Sequence, residues 1–194
     1  MKKTLLIALL LIPFLGISQT TKPIEGFLGI KFGSSKAVVI AAMKAKGATL
    51  FKARSDNDNL AFSNAKLGTR EAAAFLVRFV NDKAFEADYI FAPQVEAKVI
   101  DDYKDLVADI TRVYGAGKAI NHYNDPYNDG EGLNDSLTGL AVGKIDLHTT
   151  WFDNNKNSVT VSIETNMVVK LQYQDDALTN RAIEKQNAKE KSDF

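Results

Sequence analysis

The clearest periodicity runs through the middle of the chain, where Val95, Val99, Tyr103, Leu106, Ile110 and Val113 recur at intervals of three and four between Pro93 and Gly115. Such spacing puts one apolar stripe along a helix; proline is tolerated in a first turn, and glycine suits the stop. Asp101, Asp102, Asp105 and Asp109 fall on the outer face, where acidic side chains read as solvated surface. A shorter helix is predicted over residues 35–46. Ser34 and Ser35 supply capping oxygens, and Gly47 suits a left-handed end. Its apolar residues do not make one stripe: Val39, Ala42 and Met43 share a side, while Val38 and Ile40 lie outside it. More than one face of this helix is expected to be covered.

Period two governs most of the rest. Residues 27–33 read as a short apolar strand, and two short strands are expected around the polar turn at residues 55–59. Residues 73–80 and 84–91 flank Asn81-Asp82-Lys83, which has the turn chemistry of a hairpin. In the second of these strands Phe85, Ala87, Tyr89 and Phe91 share one face and Glu86 and Asp88 the other, predicting one buried and one wet side. Residues 121–143 are rich in Asn, Asp and Gly and read as a long loop. After them, 144–152, 158–164 and 167–174 alternate as an antiparallel meander, with Trp151, Val161 and Leu171 on its buried face. Residues 175–194 are charged, with only Leu178 and Ile183 as large apolar anchors, predicting a frayed helix or disorder.

These elements predict an α+β fold with helices packed on one face of an antiparallel sheet. Helix followed by strands occurs twice, over 27–91 and 92–175, the order expected of a tandem duplication of a helix-plus-three-strand unit within a single domain, 19–175. A charged tail, 176–194, follows it.

The first residues carry an address. Lys2 and Lys3 precede an apolar run over 5–15 and then Gly16-Ile17-Ser18, the three parts of a signal peptide over residues 1–18. The run is too short for a hydrocarbon core of about 30 Å, which takes roughly 20 residues. The expected location is the periplasm or cell exterior, with no stable membrane span in the mature form. The 194 residues include no cysteine, which excludes disulfides, thiolate metal sites and a lipid-modified cysteine. Basic and acidic side chains balance at 24 each, so nucleic acid is not an expected partner.

GIKFGSSKAVVIAAMKAKG over residues 29–47, Val113-Tyr114-Gly115, Trp151 on a strand, and SVTVSIETNMVVKLQYQD over residues 158–175 together resemble small exported proteins of the Bacteroidetes type. Their layout is similar to the β-lactamase-inhibitor-like fold and to outer-membrane-assembly lipoproteins of the SmpA/OmlA kind. The resemblance implies helices on one face of a sheet and carries over no functional residue. The chain departs from it in lacking the lipoproteins' anchoring cysteine and in placing Ala37, Val38 and Ile40 where charged residues are usual.

Catalytic signals are missing, and no catalytic residue is assigned. His122 and His148 are the only histidines, and the chain has no G-x-S-x-G and no H-E-x-x-H. Gly115-Ala116-Gly117-Lys118 follows a helix, whereas a phosphate loop must follow a strand. Oxygen ligands and aromatics concentrate in residues 121–135. His122, Tyr123 and Tyr127 are the candidate binding residues there. Asp125, Asp129 and Glu131 form a weak calcium candidate: Asp125, Asp129 and Gly130 fit positions one, five and six of a calcium loop, but Tyr127 and Ser136 replace required ligands. No other cofactor is expected. The leading expectation is a non-enzymatic binding or scaffold module holding a protein or envelope component. The alternatives are a hydrolase with a carboxylate site, which requires a deep pocket lined by two carboxylates, and a carrier of a small apolar ligand.

Overall fold

The computed structural model describes residues 22–130 and 132–192. The signal-peptide expectation and Glu131 lie outside them. In chain order the elements are β1 (Gly26–Phe27), β2 (Ile30–Lys31), α1 (Lys36–Ala45), β3 (Thr49–Leu50), β4 (Asn59–Ser63), β5 (Lys66–Leu67), β6 (Arg70–Glu71), β7 (Ala74–Val80) and β8 (Lys83–Phe91). They continue with α2 (Val99–Tyr114), β9 (Lys118–Tyr123), α3 (Leu133–Ala141), β10 (Ile145–Phe152), β11 (Ser158–Ile163), β12 (Val169–Gln174) and α4 (Asp176–Ser192).

The fold is α+β. Eight strands form one antiparallel sheet in the order β3-β4-β7-β8-β12-β11-β10-β9. This order is symmetric about the β8–β12 seam. Each half runs as a helix followed by four sheet strands stepping from the edge to the centre, with the β5–β6 hairpin inserted in the first half and α3 in the second. The repeated unit is thus a helix plus four strands, one more than the periodicity predicted.

Local chemistry accounts for the elements. Ser35 caps α1 by accepting from the Val38 N–H, and Val39 and Met43 turn inward. Ile40 is half-buried against the core, while Val38 is 52% exposed, so that side of α1 is bare. The β7–β8 hairpin turns through Asn81 and Asp82, both with positive φ, as a two-residue turn between right-twisted strands requires.

The α2 stripe buries Val99, Tyr103, Leu106 and Ile110 against β11 and β12. Its two ends differ from expectation. Helix α2 starts at Val99, leaving Val95 60% exposed, and at the last turn the stripe rotates away so that Val113 is 43% exposed. Trp151, Val161 and Leu171 lie in the same core, and Trp151 Nε1 donates to the Gly115 carbonyl at 2.8 Å. A Cβ on Gly117 would stand 2.5 Å from Trp151 Cε2, so close packing explains this glycine.

Three further expectations are corrected. Residues 121–143 are not one loop: β9 extends to Tyr123, and α3 occupies Leu133–Ala141. Phe85 does not share a face with Ala87 and Tyr89. The register shifts at Arg78/Phe79, making Phe85 the extra residue of a bulge and sending its ring to the opposite face, where Val80, Leu178 and Ala182 cover it. Finally, Glu86 and Asp88 are not wet but 4% and 3% exposed. Central strand β8 is flanked on both sides, and Arg78 and Gln174 sit beside Glu86, Leu76 and Gln172 beside Asp88.

The charged tail forms α4, which packs over β7 and β8 through Leu178, while Ile183 remains 50% exposed. Its start is tied to Asn157, which with the buried Asp153 also holds Ile24. Asp153 accepts from the Ile24 N–H, and Asn157 both donates to the Ile24 carbonyl and accepts from the Asp176 N–H.

Candidate functional site

A cavity of about 430 Å³ lies where α2, α3 and the β9–β10 edge of the sheet meet. Its position follows from the two helices. Tyr103, in the α2 stripe, reaches the sheet and hydrogen-bonds Thr149 Oγ1 at 2.8 Å. Helix α3 settles on β10 through Gly139, where a Cβ would stand 2.5 Å from Ile145 Cδ1 and 3.1 Å from the Tyr127 ring. Between these contacts the helices leave a gap floored by Ile145 and Leu147, with Ile100 and Leu133 as apolar walls.

Two residues singled out in the sequence line the cavity. Tyr123, at the end of β9, donates its hydroxyl to Asp129 Oδ1 at 3.2 Å. Desolvation, and secondarily Asp129, pushes the Tyr123 hydroxyl above its ordinary pKa; burial does the same to Tyr103. Asn121 and Ser136 add polar edges, and the exposed Asp101, paired with Lys98 at 3.3 Å, stands nearby.

The other candidates from residues 121–135 separate. Tyr127 is half-buried and packs on the core beside Ile145 and Gly139, so its ring is part of what holds α3. His122 pairs across from Asp146 and projects to the opposite face of the sheet from Tyr123. Asp125 is exposed and precedes Pro126. Among the described residues no group of three His, Asp or Glu side chains is placed to hold a metal ion.

The opposite face of the sheet carries a cluster that pattern reading missed. Glu86 and Asp88 lie two residues apart on β8, with Arg78 from β7 across from them: Nη1 is 2.9 Å from Glu86 Oε1 and Nη2 is 3.6 Å from Asp88 Oδ2. The Arg78–Glu86 contact is an ion pair without hydrogen-bond alignment. Neither Glu86 Oε1 nor Asp88 Oδ1 has a hydrogen-bond donor among the described residues. Gln174 Nε2 donates to Glu86 Oε2 at 3.4 Å, and Arg78 is the cation the two buried carboxyls share. Desolvation first, and the Asp88 charge second, push Glu86 up to about 7, and desolvation raises Asp88 against the pull of Arg78. No pattern within β8 signals this burial, because its alternation is that of a strand with one wet face.

The acidic face of α2 is surface, as its periodicity implied. Asp109 bridges Arg70, at 2.9 Å, and Arg112, which hold its carboxyl below the usual range. His148 is bonded to Asp146 at 3.1 Å. No family model matches the chain, and neither the curated proteins nor the solved structures yield a match.

Proposed function

We propose that this chain is an exported, non-enzymatic binding module that holds its partner at the α2–α3 cavity. The supporting observation is the cavity's build: an apolar floor and walls, two tyrosines and a few polar groups at the rim, the composition of a recognition site. The carboxylates beside it, Asp101 and Asp129, are exposed and already engaged by Lys98 and Tyr123. The buried carboxyl pair lies elsewhere, on the opposite sheet face beside Arg78, and neither carboxyl lines this cavity. That separation of carboxyl pair from cavity favours binding over hydrolysis. Export rests on the N-terminal sequence pattern. Among the described residues no helix is long and apolar enough to cross a membrane.

The test is capture from envelope extract by immobilised protein, read by mass spectrometry, against a Ser136→Trp variant. Ser136 lines the cavity from α3, and an indole there fills it. Capture by the unaltered protein and its loss in the variant, at a melting temperature within a few degrees, is the expected result. Equal capture by both proteins would remove the cavity from the reading.

A further inference from the structure

The sheet has two edges, and they differ. One ends on β3, only two residues long. The other ends on β9, which pairs with β10 over six residues without a bulge, from Lys118↔Thr150 to Tyr123↔Ile145. Beyond the strand the Asn124 N–H donates to the Lys144 carbonyl at 2.9 Å, continuing the same register. That bond sets the parity of the ladder. In an antiparallel pair the residues alternate between those bonded to the neighbour and those whose main chain points away. Since Asn124 is bonded inward, so are Lys118, Ile120 and His122, and the N–H and C=O groups of Ala119, Asn121 and Tyr123 point outward. None of these outward groups has a hydrogen-bond partner among the described residues.

Protein edges are ordinarily closed by proline, bulges, inward charges, shortness or a covering element. β3 uses shortness. β9 has only Lys118, at its first residue, and all its residues but Tyr123 are exposed, Ile120 among them at 38%. The side chains of Asn121 and Tyr123 point to the face of the sheet that carries the cavity.

We propose that β9 is the acceptor edge for an extended segment of another polypeptide, which joins the sheet as a ninth strand and inserts one bulky apolar side chain into the α2–α3 cavity. A strand added about 4.8 Å from β9 meets the outward groups of Ala119, Asn121 and Tyr123 with its own main chain. The residue of that strand opposite Asn121 or Tyr123 stands on the cavity face, beside Leu133 and Leu147. A row of alternating donors and acceptors is the complement of an extended backbone, which a helix, a sugar or a lipid cannot supply. A second copy of this chain fits less well. Antiparallel pairing of β9 with itself about Asn121 sets Asn121 opposite Asn121 and Ala119 opposite Tyr123, and pairing about His122 sets opposite Asn121 only Tyr123, whose ring already lines the cavity of its own copy. The inserted side chain rests on the cavity reading above, whereas the strand pairing does not.

The test uses the purified full chain and a phage library of random twelve-residue peptides, with the affinities of enriched peptides measured by fluorescence anisotropy. Asn121→Pro removes one outward N–H and crowds the edge, while sparing the bonds to β10. We expect enriched peptides to alternate around a bulky apolar residue and to lose roughly tenfold or more in affinity to Asn121→Pro. Ser136→Trp weakens the same peptides, but not versions with alanine at the bulky position. In the unaltered protein, amide exchange at Ala119, Asn121 and Tyr123 slows when peptide binds, a readout that holds even if the proline variant fails to fold. Failure to enrich any peptide, or binding with no protection of these three amides, overturns the proposal. Sensitivity to Ser136→Trp without that protection overturns strand addition and leaves the cavity as the binding site. A concentration-dependent dimer abolished by Asn121→Pro, seen in sedimentation, assigns the edge to self-association instead and also overturns it.

Discussion

Replacing Glu86 by glutamine tests the energetic reading of the buried carboxyl pair. Glu86 is 4% exposed, and the single Arg78 is shared with Asp88, so burial together with its acidic neighbour raises Glu86 from 4.5 to about 7. Below 4.5 the carboxyl is protonated in both folded and unfolded chains and pH has no leverage. As pH rises the unfolded chain ionises first and the folded chain only near 7, so stability is lost across that window and levels off above it. At about 1.4 kcal/mol per tenfold, the loss is about 3 kcal/mol. Glutamine keeps the volume and cannot ionise, and Arg78 retains Asp88 as its partner. Glu86→Gln should therefore match the unaltered protein within about 1 kcal/mol at pH 5 and exceed it by about 2–3 kcal/mol at pH 8. Urea unfolding at pH 5, 6, 7 and 8 measures both. A variant equally destabilised at every pH, or one with an unchanged slope between pH 5 and 7, would refute the claim that Glu86 is buried at an electrostatic cost.

Leu106 is 1% exposed in the α2 stripe, and Leu106→Ala should cost about 2–5 kcal/mol of unfolding free energy; a loss under about 0.5 kcal/mol would remove the stripe from the core. The Tyr89 hydroxyl is buried without a hydrogen-bond partner among the described residues, so Tyr89→Phe should leave stability unchanged or raise it by about 1 kcal/mol in urea unfolding. Tyr127→Ala should lower the melting temperature, because its ring packs against Ile145 under α3; an unchanged melting temperature would make Tyr127 a surface contact. If Asp125 and Asp129 bind calcium, millimolar calcium should raise the melting temperature, and Asp129→Asn should abolish the rise; calorimetry with and without a chelator decides it.

Periodicity made much of the architecture legible. The α2 stripe, the β7–β8 hairpin and the β10–β12 meander each declare one buried side, and an apolar side that no element can bury alone forces helices onto a sheet. Turn chemistry at Asn81-Asp82 and the glycine after α2 placed the connections. Of the cavity, the sequence offered Tyr123 and Asp129 as chemically dense loop residues, because polar and aromatic groups stand out where no core periodicity competes.

The rest was decided in three dimensions. Exposed β9 and short α3 carry no strong apolar period, since β9 borrows its order from β10 and α3 buries little more than Gly139 and Leu140. Alternation on β8 could not reveal that Glu86 and Asp88 are buried: a polar position on a sheet face is wet or covered according to the side chains set around it by the flanking strands, and only the strand order puts Arg78 and Leu76 on one side of the pair and Gln172 and Gln174 on the other. His122 and Tyr123, adjacent in the chain, were separated onto opposite faces, while Tyr103 and Tyr123, twenty positions apart, were brought to one cavity. A linear pattern specifies which side of each element seeks cover. Which elements become neighbours is set by the joint burial of all those sides at once, and that is a property of the assembled sheet.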